Sequence, residues 1–155
     1  MKTRRWLICL LIVVSLALVF FFVILLESFS LTVSPEEFTH RMEEAGYSVE
    51  ERASPYKQVT LYLVADCEAF YVKLMVHQTM TDARFTFAQL RSDLERLDDI
   101  LAFTWSSSGF SSWYEQSTSD GQWARMIRVR NTIVFVSTTE ENAADVLFIL
   151  EMLGH

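Results

Sequence analysis

The residues that could do chemistry are few and scattered. His40, His77 and His155 lie far apart, with no pair at i, i+4 and no cysteine or aspartate at metal spacing, so neither zinc nor another cofactor is expected. His40 stands between Glu36 and Glu44, where ion pairing on an exposed helix face accounts for it. Cys67 is flanked by Asp66 and Glu68 and has no neighbouring cation to favour a thiolate, so it reads as a small residue near a strand turn. Ser106-Ser107-Ser108-Gly109 lacks the G-x-S-x-G spacing of a nucleophile elbow and reads as a turn. With 4 glycines in the chain there is no phosphate-cradling loop. This inventory points away from an enzyme and toward binding.

The richest stretch is SSWYEQSTSDGQWARMIRVRNTIVFVST, residues 111 to 138, which reads as three successive strands. A two-residue turn at Asp120-Gly121 sets Trp113 opposite Arg128, Tyr114 opposite Ile127 and Glu115 opposite Met126. A second turn at Arg130-Asn131 sets Met126 opposite Phe135 and Ile127 opposite Val134. One face then carries Tyr114, Ile127, Val129, Val134 and Val136 and reads as core. The other carries Trp113, Glu115, Met126, Arg128, Ile133 and Phe135, with Trp113 placed for a cation–π contact to Arg128. Such a face is either covered by another segment, Phe103 to Trp105 or the closing helix, or is an interface rich in hot-spot residues. An alternative is a ligand or cell-wall glycan stacked on Trp105, Trp113 and Trp123.

These residues need elements to hold them. Ser34-Pro35-Glu36-Glu37 is a helix start with a capping box, and Val33 and Phe38 stand at the positions of a hydrophobic staple. Phe38, Met42 and Ala45 give that helix an apolar face, and Gly46 a stop. Strands over 59–65 and 69–77 follow as a hairpin. Ala83, Phe87, Leu90, Leu94 and Leu97 mark an amphipathic helix. Thr138 to Glu141 looks like another capping box, with Ala144, Leu147, Leu150 and Leu153 as the apolar face of a closing helix. The expected fold class is α+β, a mainly antiparallel sheet made of a hairpin and a three-strand meander, covered by three helices.

The start of the chain adds a membrane expectation. Trp6 to Leu26 is an uncharged apolar run which as a helix spans about 30 Å of hydrocarbon, the thickness of a bilayer core. Lys2, Arg4 and Arg5 precede it, so residues 1–5 are placed in the cytoplasm, 6–26 in the membrane, 27–33 in a short linker and 34–155 in an extracytoplasmic domain. A secretory leader cleaved after Ser30 is the rival, since Ser28-Phe29-Ser30 is a small-x-small site. All 20 acidic residues follow the run and three of the 13 basic ones precede it, which leaves the rest of the chain at a formal charge of −10. That argues against nucleic acid or an anionic bilayer surface as the partner. The expected partners are the lipid bilayer through residues 6–26 and a protein of the envelope or membrane.

The segments SPEEFTHRMEEAGYSV, RFTFAQLRSDLERL and MIRVRNTIVFV, in that order around a hairpin and before a closing helix, resemble small membrane-anchored or lipoprotein-like domains of Gram-positive bacteria. The resemblance covers roughly residues 34 to 153 and rests on turn, cap and core residues. It implies the architecture and nothing about catalysis.

Overall fold

The computed structural model describes residues 33–97 and 99–154. By its internal contacts the chain divides into two units, and the second, Thr32–His155, contains every residue described. The elements of that unit are α1 (Pro35–Glu44), β1 (Ser48–Glu51), β2 (Val59–Asp66), β3 (Tyr71–His77), α2 (Met80–Leu94), β4 (Ile100–Ser107), β5 (Ser111–Thr118), β6 (Gln122–Val129), β7 (Thr132–Thr139) and α3 (Ala143–Met152). A 3₁₀ turn, Glu140–Asn142, leads into α3.

Local signals start the first two helices. Ser34 caps α1, its Oγ accepting from the Glu37 N–H at 3.1 Å, with Pro35 in the first turn. Thr79 caps α2 in the same way, accepting from the Asp82 N–H at 3.1 Å. Each cap satisfies one of the donors that a helix start leaves without an intrahelical acceptor. The closing helix departs from expectation, because Thr139 makes no side-chain cap and its residues form the 3₁₀ turn. Its buried face is Val146, Ile149, Leu150 and Leu153, while Ala144 is exposed and Leu147 partly so.

The described strands all join one seven-stranded sheet in the order β1-β2-β3-β7-β6-β5-β4, antiparallel at every pairing. Two meanders, β1 to β3 and β4 to β7, meet where β3 pairs with β7, and α2 carries the chain from the centre of the sheet to its far edge. The expected hairpin plus three-strand meander is therefore too small by β1 and β4, the two edge strands. Neither carries a buried face to imprint alternation on its sequence.

The helices do not share one face. On the first face α1 and α3 pack Phe38, Met42, Ile149 and Leu150 against Leu63, Val72, Leu74, Val134 and Val136. On the second, α2 packs Phe87 and Leu90 against Met75, Met126, Ile133 and Phe135. The result is a sheet between two helical layers, each with its own core. β7 is apolar on both sides from Ile133 to Val136, as a strand buried on both faces must be, whereas the α2 side of β3 also carries Lys73 and His77.

The membrane expectation is corrected. Among the described residues no helix is long and apolar enough to cross a membrane. The proposed crossing over 6–26 lies outside the described residues. The single-pass, N-in and extracytoplasmic architecture thus has no element of this structure behind it and is withdrawn.

Candidate functional site

The β5–β6 connection is the three residues Ser119 to Gly121, not two, with Gly121 at φ +78 and Asp120 Oδ1 accepting from the Thr118 hydroxyl. One extra turn residue shifts the register by one, so Trp113 pairs with Ile127 and Tyr114 with Met126. The second turn keeps the expected register, with Met126 opposite Phe135. Met126, Arg128, Ile133 and Phe135 consequently lie buried on the α2 side, while Trp113 and Glu115 swing to the opposite face. Tyr114 moves the other way and joins the core beneath α2. Glu115 pairs there with Arg125 at 3.5 Å. The Trp113–Arg128 stack is replaced by a Trp113–Ile127 pair, and the six residues do not form one surface.

Arg128 has a different task. It is 1% exposed, and no carboxylate among the described residues bonds to it. Its guanidinium donates to the carbonyls of Phe110 (3.2 Å), Arg130 (3.1 Å) and Ser108 (3.3 Å) and to Ser112 Oγ (2.8 Å). Desolvation, then the nearby Arg84 charge, pushes its pKa down. Arg84 reaches from α2 to the Gly109 carbonyl. Two arginines thus pin the Ser108–Phe110 turn, and through it the end of β4.

What they hold in place is an open sheet edge. Among the described residues β4 pairs with β5 alone, and none of its residues is buried. Leu101 is 67% exposed, Phe103 57% and Trp105 50%. The Ser108 N–H donates to the Ser111 carbonyl at 2.7 Å, which fixes the alternation along the strand. Ser106 and Thr104 therefore turn their backbone groups toward β5, and Ser107, Trp105 and Phe103 turn theirs outward. The side chains of Phe103 and Trp105 lie on the α2 side. There Arg91 sits 4.8 Å from the Trp105 ring centre and Phe103 stacks on Tyr114 at 6.4 Å. No Asp, Glu, Lys, Arg, His or Pro occurs from Ile100 to Tyr114. Charge, proline, short length and bulges are the usual means of blunting a sheet edge, and β4 has only an irregularity between Ile100 and Ala102, with a regular register from there to Ser107. The opposite edge has two: β1 is four residues long and carries Glu50 and Glu51, with Arg52 following and bonded to Glu50 at 2.9 Å.

The catalytic candidates have structural settings. Cys67 is buried in the first core, and desolvation, then Asp66, pushes its thiol up to about 11. His77 is buried at the end of β3, beside the β6–β7 turn, with Nδ1 3.1 Å from the Asn131 carbonyl, and desolvation lowers its pKa. His40 is exposed beside Glu44 at 3.4 Å. Among the described residues no three His, Cys, Asp or Glu side chains are grouped to hold a metal. Trp123 is buried, Trp113 faces the α1 and α3 side and Trp105 the α2 side, so the three do not build a common stacking platform. A hollow of about 130 Å³ beside Trp123 is lined by Ala102, Thr104, Glu115 and Ser117.

No family model and no curated protein matches the chain. Among solved structures, the crystal structure of a GTP binding regulator from Thermotoga maritima aligns over 82% of this chain and 86% of its own, at 16% identity and a TM-score of 0.46. A likeness at that level assigns neither fold nor activity.

Proposed function

We propose that the chain is a non-enzymatic binding module that takes a polypeptide partner along the open edge of β4. The observation that carries this reading is an eight-residue edge strand with no charge or proline and with Leu101, Phe103 and Trp105 exposed. An added strand finds backbone donors and acceptors at Phe103, Trp105 and Ser107, and apolar side chains beside them. The two arginines that pin the neighbouring turn keep this edge in one conformation before a partner arrives, which lowers the ordering cost of binding.

The test is photocrosslinking in cells from a photoreactive phenylalanine analogue at Phe103, with the same analogue at Phe148 on α3 as a control. Crosslinked polypeptide is expected from Phe103 and not from Phe148. Trp105→Pro removes an outward N–H while leaving the ladder to β5 intact, and is expected to abolish the crosslink while the protein still melts cooperatively. Absence of any crosslink at Phe103, or its persistence in the proline variant, overturns the reading.

A further inference from the structure

Building on the reading of β4 as a strand-docking edge, we infer that its occupant is a second copy of this chain, paired antiparallel about a two-fold axis at Thr104. The first ground is charge. The chain carries a formal −7, and from Ile100 to Tyr114 it carries no ionisable group except the Tyr114 phenol. Two acidic molecules approaching through most of their surfaces repel each other; through this strand they do not. A basic partner has no carboxylate on β4 to recognise, whereas a copy of the same uncharged strand matches it.

The second ground is register. Backbone groups of Phe103, Trp105 and Ser107 point outward, so an antiparallel partner strand must set outward residues opposite outward residues. An axis at Thr104 does this, placing Phe103 of each copy opposite Trp105 of the other. Two cross-strand aromatic pairs then form on the α2 side, where aromatic pairing stabilises a sheet. On the other side Thr104 meets its own counterpart, and Ala102 meets Ser106, all small residues.

The third ground is closure. Were β1 as open as β4, the edge of one copy could add to the opposite edge of the next and build a filament. β1 is short and carries exposed Glu50 and Glu51, so head-to-tail growth meets acid at every step. Pairing through β4 alone ends at two copies and makes one continuous sheet across the dimer.

The geometry supplies its own test. At the proposed axis the two Thr104 residues form a non-hydrogen-bonded antiparallel pair with Cα atoms about 4.5 Å apart, inside the roughly 4.4–6.8 Å window of a disulfide. In the full chain with Cys9→Ser and Cys67→Ser, solubilised in non-ionic detergent, Thr104→Cys is expected to give a band at twice the chain mass under mild oxidation. Ser106→Cys alone is expected to stay monomeric, and Ala102→Cys with Ser106→Cys to dimerise again. Trp105→Pro added to Thr104→Cys is expected to lose the band. Sedimentation of the unsubstituted chain in the same detergent gives a readout free of any cysteine, with a concentration-dependent dimer expected. A monomer at all concentrations, or equal linking of Thr104→Cys and Ser106→Cys, overturns the second-copy inference. If the Phe103 photocrosslink then has a mass other than twice the chain, the strand-docking reading stands and only the identity of the occupant is wrong. If that crosslink is missing too, both fall.

Discussion

At the residue scale, the side chain whose role changes most is Arg128. By type it suits an interface; in place it is the buried brace of the β4–β5 turn, bonded to three carbonyls and a hydroxyl. Arg128→Met leaves those oxygens without a donor and is expected to cost about 3 kcal/mol in urea unfolding, the scale of one to three unsatisfied buried groups. Arg128→Lys is expected to recover little, because an ammonium cannot reproduce the planar fork that serves acceptors on two sides. A loss below that of an ordinary surface substitution contradicts the bracing role. His77 gives a pH prediction. Desolvation lowers its folded pKa below the usual 6.5, so the unfolded chain takes up the proton first as pH falls. Its stability contribution is intact above about 6.5 and declines as pH drops toward the folded pKa. His77→Asn, with an amide near the Nδ1 position, is expected to flatten that part of the stability profile between pH 7 and 5. Parallel profiles for the two proteins sink the assignment.

At the scale of elements, the cap of α1 was legible and one turn was not. Ser34 and Pro35 act through neighbours three or four residues away, so their meaning is complete in the local sequence. Asp120-Gly121 looks equally local, yet Thr118 and Gln122 close the β5–β6 ladder with Ser119 included in the loop, and Gly121 alone of those three takes a positive φ. A type I turn with a following left-handed glycine and a two-residue primed turn both accept Asp-Gly. The choice moved Trp113 and Glu115 away from Met126 and Arg128. Gly121→Ala meets no atom within 4 Å, so its cost is backbone strain alone. It is expected to destabilise by about 1–2 kcal/mol, the price of a left-handed non-glycine residue. An unchanged urea midpoint would show that the turn is not left-handed at this position.

At the scale of the molecule, β7 is the central strand, flanked by β3 and β6 and covered by helices on both sides. Its amides are expected to exchange slowest with deuterium and those of β1 among the fastest, since exchange from the centre requires opening both meanders. Similar rates in β1 and β7 contradict the strand order. The same arrangement answers why both faces of the 111–138 stretch carry side chains worth burying. Two helical layers need two apolar faces, and β6 and β7 serve both.

The sequence by itself determined where α1 begins, that an amphipathic helix runs through Ala83, Phe87 and Leu90, the β2–β3 hairpin, the β6–β7 turn and the apolar strands, because these rest on a cap, turns and periodic spacing within a few residues. Only the tertiary structure decided that β3 pairs with β7, that α2 takes the face opposite α1 and α3, and that Arg128 points into the turn of residues 108–110. It also revealed β4 as a strand, for an edge open on both faces has no buried side to write a pattern into its residues. The absence of charge from Ile100 to Tyr114 was visible from the start. Its meaning depended on learning that those residues line an unpaired edge, a fact set by pairings between residues far apart in the chain.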